Sequence, residues 1–582
     1  MVVWVRILTI AIAVLLAVPV AVPVAMHVAM LGQASAQAGT SDCKGDNGGL
    51  TLSPGFCATV FADNLGHVRH LTVAADGTVY ANSWSGRYFR NYPPAPPGAF
   101  LIALRDTKGD GHADIVQRFG PSPDAGGAGG SGIAYYNGAI FAEEKDKILR
   151  YALSPGSLVP NGAPQVVVSG LPLSGDHPMH PFVISPKGEI FVDVASATNS
   201  CQSANRAREV PGQSPCTEKE TRAGTWRYDA NRTGQVFSAR ERYASGIRNG
   251  EGFAFDAAGR LFVTQHGRDQ LYQNWPALYS AEQGAELPAE ELLELSAGSD
   301  YGWPECYYDH EQGKLVLAPE YGGDGGKAVG LCVSRRGPVA AFPGHWAPND
   351  LAIYLGDKFP AAYRGGAFIA FQGSWNRAPL PQAGYNVVFQ PLADGRSTGP
   401  YVVFADGFAG QYKEPGRAMY RPTGLAVARD GSALFISDEV RGRIWRVTYN
   451  GNGSDRVAPA PAPQVAASVA SRRTVLPTPP GSTSQQVALG DRIYHGEAHN
   501  GACAGCHGSD ARGTPQGPPL DRPDWLWSDG TPAGIAKIVE KGVAKPKHFQ
   551  TAMPPYGGGA LTKEDLAAVA AYVWAVSHAG GR

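Results

Sequence analysis

The segment AAGRLFVT, residues 257–264, is one copy of a short pattern on which the predicted architecture rests. A turn glycine, Gly259, stands one residue before a run of apolar and aromatic residues, and glycine supplies the positive φ that a tight hairpin turn needs. The pattern recurs along the chain, so it is an internal repeat. Its copies are ADGTVYAN at Gly77, YNGAIFAE at Gly138, PKGEIFVD at Gly188, AAGRLFVT at Gly259, RGGAFIAF at Gly366 and RDGSALFIS at Gly431.

Each copy is followed by a second strand-like segment. A strand–turn–strand unit that repeats at intervals of tens of residues indicates a solenoid or a propeller with four-stranded blades. We therefore expect a six-bladed β-propeller over residues 40–450, with a large insertion between Gly259 and Gly366. The segment GFCATVFAD (residues 55–63) has no turn glycine of its own and is expected to complete the last blade and close the ring. The second segments are LIALRD, ILRYAL, TWRYDA, LLELSA, YNVVFQPL and IWRVTY.

Near the C-terminus, the segment GACAGCHGSD, residues 501–510, contains a Cys-x-x-Cys-His motif, which is the attachment signal for a c-type haem. Cys503 and Cys506 are the expected covalent attachment points, and His507 is the expected proximal ligand of the iron. Met553, in TAMPPYGGG, is predicted to be the distal ligand, because a Met/His pair suits an electron-accepting haem. Core packing is the alternative for Met553. The remaining histidines of this region are interpreted as solvent-facing or structural; they are His495, His499 and His548.

Three segments around this motif carry helical patterns, and TKEDLAAVAAYVWAVS begins with Thr-x-x-Asp, which is similar to a capping box. Residues 485–582 resemble a small class I cytochrome c. The predicted fold class is therefore an all-β six-bladed β-propeller followed by a small all-α cytochrome c domain. Residues 451–484 lie between the two and are rich in Pro, Ala and Ser, which predicts a linker.

The composition favours a folded, exported protein and gives no support to nucleic-acid binding. The 582 residues carry 50 Lys and Arg against 51 Asp and Glu, and there is no basic tract. Arg6, a long apolar run and Ala34-Ser35-Ala36 predict a signal peptide over residues 1–36. Retention as a membrane anchor is the alternative, because the apolar run is long. We expect a periplasmic protein, tethered to the membrane if the signal stays uncleaved.

Six cysteines lie outside the haem motif and fall in sequence-near pairs. Disulfide bonds are the default in an exported chain, whereas metal binding is less favoured because none of the six belongs to a Cys-x-x-Cys unit. Six cysteines allow many connectivities, so pairing between neighbours is one option among them. The neighbours are Cys43 and Cys57, Cys201 and Cys216, and Cys306 and Cys332.

Basic residues precede the repeated strand in several blades. Because the innermost strand of each blade lies near the axis, residues at this position of the repeat are expected to converge. The guanidinium group of arginine can bind a carboxylate through two parallel hydrogen bonds, so together these residues predict a pocket for a polyanionic ligand. The plainer interpretation is that each is an unrelated basic residue in a loop. The residues are Arg69, His70, His177, His180, Arg248, Asn249 and Arg421.

Several longer segments resemble one family, the soluble aldose, pyranose and sorbosone dehydrogenases that depend on pyrroloquinoline quinone (PQQ). SGIRNGEGFAFDAAGRLFVTQHGRD (residues 245–269) is similar to the Arg-Asn segment and glycine turn of that family. The resemblance covers roughly residues 40–450 and implies a six-bladed propeller with PQQ and calcium as cofactors. Further similar segments, closest to the sorbosone-dehydrogenase-like branch, are GSDYGWPECYYD, GSWNRAPLPQAGYNVV, RPTGLAVARDG and SDEVRGRIWRVTY.

The resemblance implies catalytic roles for residues at matching positions. His177 matches the catalytic base, with His180 as the competitor. Arg248 and Asn249 match the pair that lies over the quinone. Ser196 stands where sugar dehydrogenases of this fold often carry an Asp beside the catalytic His, which leaves the substrate preference open.

The resemblance also implies cofactor-binding positions. The backbone carbonyls of Gly267 and Arg268 match those that hold the PQQ-bound calcium, although Arg268 replaces a proline of the family. Arg377 and Arg421 match cationic positions around PQQ, and Arg69 is a further PQQ-binding candidate from the converging basic set.

A second calcium site is a weaker hypothesis. In LRDTKGDGHADIVQ, three carboxylates at every fourth position resemble a calcium-binding loop. Lys108 occupies a usual ligand position and Gln117 stands where an EF-hand has Glu, so the match is incomplete. The three carboxylates are Asp106, Asp110 and Asp114.

Taken together, these features predict a quinoprotein dehydrogenase that oxidises an aldose sugar or a sorbosone-like sugar aldehyde with PQQ. The electrons are expected to pass to the haem c of the same chain and then to an acceptor such as a cytochrome or a membrane oxidase. Two alternatives are a calcium-dependent lactonase-type hydrolase and a cofactor-free binding propeller fused to an electron-transfer cytochrome.

Overall fold

Short β-strands dominate the computed structural model of the chain between residues 51 and 449. In chain order, the strands in the described residues are β1 (Thr51–Leu52), β2 (Phe56–Ala62), β3 (Leu71–Val73), β4 (Val79–Asn82), β5 (Leu101–Arg105), β6 (Ile115–Phe119), β7 (Ile133–Tyr136), β8 (Ala139–Glu144), β9 (Lys147–Ala152), β10 (Gln165–Ser169), β11 (Phe182–Ile184), β12 (Glu189–Val194), β13 (Gly224–Asp229), β14 (Gln235–Val236), β15 (Arg242–Ser245), β16 (Gly250–Phe255), β17 (Leu261–Gln265), β18 (Glu290–Leu295), β19 (Cys306–Asp309), β20 (Lys314–Leu317), β21 (Ala340–Phe342), β22 (Pro348–Ile353), β23 (Ala367–Phe371), β24 (Asn386–Gln390), β25 (Leu392–Ala393), β26 (Arg396–Ser397), β27 (Val402–Asp406), β28 (Pro422–Val427), β29 (Leu434–Asp438) and β30 (Ile444–Tyr449).

The described part of the chain has several gaps. The structure describes residues 1, 43–83, 97–122, 130–377, 379–414, 417–451, 456–461, 476–495, 498, 503–508, 511–513, 517–549, 552–558 and 561–579. The predicted signal peptide beyond residue 1, its cleavage site and His499 lie outside the described residues, as do residues 452–455 and 462–475 of the predicted linker.

Six sheets of four or five strands form the blades of a propeller within the described residues. The first strand of each blade contacts the first strand of the next, and the contact between β28 and β3 completes the circle. The predicted six-bladed propeller is therefore confirmed. In hydrogen-bonded order, the blades are β3-β4-β5-β6, β7-β8-β9-β10-β14, β11-β12-β13-β15, β16-β17-β18-β21, β22-β23-β24-β27-β1 and β28-β29-β30-β2.

The ring is closed by strands from both ends of the propeller sequence. β2 is the outer strand of the last blade and pairs antiparallel with β30, from Phe56 opposite Tyr449 onward. The side chain of Phe56 is buried, and its ring packs edge-on against those of Phe359, Tyr363 and Phe404 in the neighbouring blade. The expectation that residues 55–63 complete the last blade is thus confirmed.

The turn glycines are placed as predicted, with one shift in register. The turn glycine has a positive φ in five of the six copies, for example +80° at Gly259. In the remaining copy the positive φ belongs to Gly365 (+82°) and not to Gly366, as the pattern had predicted. Gly366 is required for another reason, because a Cβ there would lie 2.1 Å from the ring of Phe389.

The longest interval between repeats contains the expected insertion. Two short helices, α1 (Leu271–Asn274) and α2 (Ala281–Glu286), and the hairpin of β19 and β20 lie between β17 and β22. The disulfide Cys306–Cys332 joins this hairpin to the segment that follows it. The other two disulfides are Cys43–Cys57 and Cys201–Cys216, so all three pairings are between sequence neighbours.

The C-terminal part of the chain is helical, which confirms the predicted all-α domain. The first and last of its helices cross closely: a Cβ on Gly490 would lie 1.9 Å from the backbone oxygen of Ala568. At the last helix, Thr562 and Asp565 cap each other's backbone N–H groups, as the Thr-x-x-Asp pattern predicts. No helix in the described residues is long and apolar enough to cross a membrane. The helices are α3 (Ser484–Tyr494), α4 (Cys503–His507), α5 (Pro532–Lys541) and α6 (Lys563–Ala579).

Replacing Gly490 with Ala should destabilise the helical domain, because the added methyl group has no room against α6. Overpacking of this kind costs about 1–3 kcal/mol. The loss should appear as a lower denaturant midpoint of the haem absorbance transition. Ala567→Ser, on the exposed side of α6, is the control and should leave the midpoint unchanged. Equal midpoints for Gly490→Ala and the native chain would contradict the close crossing.

Candidate active site and haem cavity

The motif helix α4 borders an open cavity. Cys503, Cys506, His507 and Met553 all line this cavity, so the four residues predicted to hold the haem surround one space. The largest part of the wall is apolar, as in most cofactor sites. Its apolar members include Leu520, Trp525, Trp527, Ile535, Val539 and Phe549.

The orientation of His507 suits an iron ligand. Its Nδ1 lies 2.9 Å from the carbonyl oxygen of Pro518, and a carbonyl can only accept a hydrogen bond. Nδ1 therefore carries the proton, and Nε2 keeps a lone pair for a metal. Burial lowers the pKa of His507, which favours the neutral ring. Met553 is held by two backbone hydrogen bonds with Val543, of 2.8 and 3.0 Å. Ligation by His507 and Met553 stays a prediction.

The other histidines of the helical domain differ in position. His495 also borders the cavity, and its Nδ1 lies 2.8 Å from the backbone oxygen and 3.0 Å from the carboxylate of Asp491. These contacts agree with a structural role, although the ring is not simply solvent-facing. His548 is exposed.

Asp269 is the centre of a charged cluster at one end of the propeller axis. Its carboxylate accepts hydrogen bonds of 2.9 Å each from Arg206, Arg248 and Asn376. Burial alone would raise the pKa of Asp269, but Arg248 and Arg206 hold it far below the ordinary value. The carboxylate is therefore charged, and it fixes the positions of both guanidinium groups.

His177 lies close to this cluster and is neutral. Its Nδ1 is 3.0 Å from the carbonyl oxygen of Ser196 and 3.4 Å from the hydroxyl of the same residue. Burial, followed by the charge of Arg248, lowers the pKa of His177 to about 3. Since the Ser196 carbonyl accepts from Nδ1, the lone pair on Nε2 can accept a proton. Ser196 thus occupies the place beside the histidine that the family resemblance assigned to it.

The competing histidine, His180, has a partner at each ring nitrogen. Its Nδ1 lies 3.2 Å from the Glu143 carboxylate, and its Nε2 lies 3.0 Å from the carbonyl oxygen of Pro172. The ring is completely buried. This geometry favours His177 over His180 as a base, and the assignment of either one stays a prediction.

Three further candidates belong to a second cluster, which surrounds Glu439 and Glu251. Arg69 forms ion pairs of 2.6 Å with Glu439 and 3.4 Å with Glu251. Arg421 lies 3.6 Å from Glu439, and the amide of Asn249 lies 3.4 Å from Glu251. Burial raises the pKa of Glu251 to about 7. Arg69 and Arg421 are thus paired with buried carboxylates. A role of these two arginines or of Asn249 in binding PQQ stays a prediction.

Arg377 is tied to the insertion and to the loop before β22. It forms an ion pair with Glu286 and donates hydrogen bonds to the backbone oxygens of Gly344 (2.7 Å) and Ala285 (3.0 Å). Its guanidinium is nearly completely buried. The structure therefore shows Arg377 as an anchor of the segment that carries Trp375 and Asn376.

A small pocket lies at Gly267 and Arg268, the predicted calcium positions. The Gly267 carbonyl accepts a hydrogen bond of 2.8 Å from Arg248. Four buried polar atoms of the lining residues have no hydrogen-bond partner in the described part of the chain; they are Arg248 Nε, His266 Nε2, Arg268 Nη2 and Glu291 Oε2. Buried polar groups are nearly always paired, so these atoms are available to a polar group in the pocket, water included.

One carboxyl group in the wall of this pocket, that of Glu291, is mostly neutral near pH 7. Burial raises the pKa of Glu291 to about 8, although a hydrogen bond from Gln265 opposes the shift. Glu291 is therefore mostly protonated near pH 7, while Arg248 is paired with Asp269 and Arg268 with the buried Glu320. Arg248 Nε and Arg268 Nη2, which have no hydrogen-bond partner among the described residues, remain as donors for an acceptor group of a ligand.

The haem cavity is completed by residues of the propeller. A Cβ on Gly505 would lie 3.1 Å from the ring of Trp375, so the motif helix touches this side chain directly. Burial raises the pKa of the Cys506 thiol to about 11, and charges on Arg206 and Asp269 also reach that thiol. The two candidate sites are therefore neighbours. The propeller residues that line the cavity are Gln270, Gln273, Trp375, Asn376 and Gln382.

The carboxylates of Asp106, Asp110 and Asp114 accept hydrogen bonds from backbone N–H groups of their own loop. Asp106 accepts hydrogen bonds from the backbone N–H groups of Gly109 (2.7 Å) and Gly111 (2.8 Å), and Asp114 accepts two from Thr107. In the described ranges, no group of three or more His, Cys, Asp or Glu side chains is arranged to hold a metal ion. The second calcium site remains a hypothesis from sequence alone.

Sequence reasoning did not identify Asp269, Arg206 or Trp375. Asp269 directly follows the Gly267–Arg268 pair, and Trp375 lies in the family-like segment GSWNRAPLPQAGYNVV, so both signals were available. Arg206 lies within a loop without a recognisable pattern. Its part in the cluster depends on the approach of loops that are distant in sequence.

Comparison with known proteins gives two family matches. A family model described as TrAA12-like matches residues 130–450, which is more than half of the chain. A second model, described as cytochrome C oxidase, cbb3-type, subunit III, matches residues 485–573.

Individual relatives match one domain at a time. A pyrroloquinoline quinone-dependent pyranose dehydrogenase from Coprinopsis cinerea is 27% identical over 228 residues, which is 34% of this chain and 30% of the relative. The cbb3-type cytochrome c oxidase subunit FixP of Sinorhizobium medicae is 40% identical over 80 residues, which is 13% of this chain and 27% of the relative. The chain spans less than half of the length of the curated relatives that it matches.

The solved holo form of the pyranose dehydrogenase PQQ domain from Coprinopsis cinerea superposes with a TM-score of 0.54 at 19% identity. The match covers 69% of this chain and 97% of that structure. At this level of identity the likeness shows a shared propeller fold.

The buried carboxyl group of Glu291 should make stability depend on pH. Folding raises its pKa from an ordinary 4.5 to about 8, so the folded state keeps a proton that the unfolded chain releases in this window. The free energy of unfolding should therefore fall as pH rises, by about 1.4 kcal/mol per pH unit for one such group. Glu291→Gln should remove this contribution, which urea denaturation between pH 5 and pH 8 will measure. The exposed Glu282→Gln is the control, and identical slopes for Glu291→Gln and the native chain would refute the assignment.

Proposed function

The chain belongs to the TrAA12-like family, and we propose that it is a quinoprotein dehydrogenase that oxidises a sugar with PQQ and delivers the electrons to a haem c in the same chain. The observation that carries this proposal is the position of Asp269. It binds Arg248 in the candidate active site and also Asn376, which lines the haem cavity. Two redox sites that share one hydrogen-bonded residue are suited to electron transfer within the chain.

The substrate class follows from the relatives. A pyranose dehydrogenase among them supports an aldose or pyranose as substrate. We extend the proposal to sugar-derived aldehydes of the sorbosone kind, because the side chain beside His177 is the Ser196 hydroxyl and not the carboxylate frequent in sugar dehydrogenases. In this proposal, residues 40–450 form the dehydrogenase domain, residues 451–484 the linker and residues 485–582 the cytochrome c domain.

The chain's own residues fit the cofactors that the family implies. PQQ is a tricarboxylate, and the buried Arg248 Nε and Arg268 Nη2, which have no hydrogen-bond partner among the described residues, suit its carboxylate oxygens. The carbonyl oxygens of Gly267 and Arg268 are calcium donors in the proposal, since calcium prefers oxygen ligands. When bound, PQQ supplies a two-electron acceptor and calcium polarises one of its carbonyl groups. Asn249, Arg69, Arg377 and Arg421 stay secondary candidates for PQQ binding.

The haem attachment is assigned in the same way. The thiols of Cys503 and Cys506 would carry the porphyrin, and the neutral ring of His507 would offer Nε2 to the iron. Met553, which lines the same cavity, would provide the second protein ligand of the iron. A Met/His pair gives a haem with a raised potential, which suits an electron acceptor.

In the proposed reaction His177 is the general base. The Ser196 carbonyl holds its Nδ1–H, so Nε2 is the atom that accepts the proton of a substrate hydroxyl group. Burial and the charge of Arg248 keep the ring unprotonated at neutral pH. Asp269 in turn holds Arg248 in place through a hydrogen bond of 2.9 Å, so the charge that tunes His177 is itself positioned.

Export to the periplasm is part of the proposal. Three disulfides are typical of proteins that fold in an oxidising compartment. Cytochrome c attachment and a cbb3-type C-terminal domain agree with a downstream acceptor such as a cytochrome or a membrane oxidase. Membrane tethering through an uncleaved signal remains an alternative form of the same proposal.

The function is tested by reconstitution. Purified full-length protein with its haem in the ferric state is loaded with PQQ and calcium, and aldoses, pyranoses and sugar aldehydes are added in turn. Reduction of the haem by one of these substrates, dependent on PQQ, is the expected result. Cleavage of lactones without haem reduction would replace the proposal with a hydrolase, and no reaction with any substrate would leave a binding propeller.

His177→Ala should lower substrate-driven haem reduction by about 10²–10⁴-fold, because the base that accepts the substrate proton is lost. The rate is measured by stopped-flow absorbance of the haem. His112→Ala, an exposed histidine on another blade, is the control and should keep the native rate. Dithionite should still reduce the haem fully in both variants. A native rate in His177→Ala would assign the base to another residue.

A further inference from the structure

We propose that Trp375 is the contact through which electrons leave the propeller and reach the haem, and that the segment around it is built to hold this contact. The inference rests on the proposed function. It assigns a role to a side chain that neither the sequence patterns nor the family resemblance had singled out.

The first observation is direct contact with the motif helix. Gly505 lies between the two cysteines of the Cys-x-x-Cys-His motif, and a Cβ there would lie 3.1 Å from Trp375 Cε3 and 3.3 Å from Cζ3. The helix that would carry the porphyrin therefore packs its backbone on the indole ring. A side chain at position 505 would require the indole ring to shift by a few tenths of an ångström.

The second observation is a connection from Trp375 to the candidate active site. The next residue, Asn376, donates a hydrogen bond of 2.9 Å to Asp269 and lies 3.3 Å from the ring of His345. Asp269 accepts a hydrogen bond of 2.9 Å from Arg248. Two hydrogen bonds to Asp269 thus connect Arg248, the residue proposed to face PQQ, with Asn376, the residue that follows Trp375.

The third observation is the rigidity of the supporting segment. On one side of Trp375, the backbone oxygen of Ser374 accepts a hydrogen bond of 2.7 Å from the buried Tyr385 hydroxyl. On the other side, Arg377 is buried and bonded to Glu286 and Gly344. The indole is therefore held between two anchored residues, which keeps the distance between the two sites constant.

The charges near this contact are also defined. Asp269, the hydrogen-bond partner of Asn376, forms ion pairs of 2.9 Å each with Arg206 and Arg248. Electron tunnelling weakens steeply with distance, so a fixed aromatic contact at the shortest approach is the favoured route.

The proposed step balances as follows. Oxidation of one substrate molecule releases two electrons and two protons. Each electron reduces one ferric haem to the ferrous state, and the protons pass to solvent. A one-electron acceptor, such as the cytochrome proposed above, must reoxidise the haem between the two transfers.

The test measures the two halves of the reaction separately in the full chain loaded with haem, PQQ and calcium. Trp375→Ala should slow haem reduction by about tenfold or more. Turnover with a soluble dye that takes electrons from PQQ directly should stay at the native rate, and the haem midpoint potential should not move. Trp375→Phe should restore part of the lost rate, since it keeps an aromatic ring. Trp574→Ala, a half-buried tryptophan that stacks on His578 in α6, is the matched control.

A second readout requires no PQQ. Gly505→Ala places a methyl group against Trp375, so the segment 372–377 should exchange its amide hydrogens faster in the haem-loaded, PQQ-free protein. Gly399→Ala is the matched control, because a Cβ there meets no atom within 4 Å. Mass spectrometry of the peptide that contains residues 372–377 measures the difference.

The outcomes separate the two proposals. If the native protein shows no dye-linked turnover with any substrate, the proposed function fails, and the electron route fails with it. If dye-linked turnover is normal and Trp375→Ala reduces the haem at the native rate, the route alone is overturned. Haem reduction whose rate rises with protein concentration would also overturn it, because transfer within one chain is independent of concentration.

Discussion

The pairing of β2 with β30 is the constraint on which the rest of the structure depends. A propeller blade presents its inner strand to the axis only if the ring is closed, and this chain closes it with a strand from the N-terminal side of the first blade. Phe56, on that strand, packs into the core of the neighbouring blade. Without closure, the loops that carry His177, Arg248 and Asp269 would belong to separate sheets with no common centre.

Closure of the ring also brings buried charged side chains of several blades together, and each is paired with a group of opposite charge. Buried charges are costly unless they are paired and hydrogen-bonded. Arg69 lies between Glu251 and Glu439 in one cluster, whereas Asp269 lies between Arg206 and Arg248 in the other. The second cluster is the more informative for function, because Arg248 Nε has no hydrogen-bond partner among the described residues, and because Asn376 extends the cluster to the haem cavity.

The helical domain is joined to this cluster by small residues at close approaches. Gly490 lets α3 cross α6, and Gly505 lets the motif helix rest on Trp375. The first approach organises the cytochrome-like fold, and the second sets the position of that fold against the propeller. Within the unit from Thr40 to Arg582, the haem cavity is therefore shared: α4 forms one wall, and a propeller segment anchored by Arg377 and Tyr385 forms another.

The sequence by itself determined the features that depend on neighbouring residues. The glycine turns, the second strands, the Cys-x-x-Cys-His motif and the Thr-x-x-Asp cap all follow from spacings within one short segment, although the fifth turn shifted from Gly366 to Gly365. The tertiary structure alone decided which basic residues meet. Asp269 and Asn376 are 107 positions apart, and Arg69 and Glu439 are 370 apart, so no local pattern reveals these pairs. The physical reason is that side-chain contacts across a closed ring depend on how six blades pack together, whereas turns and motifs depend only on the backbone that contains them.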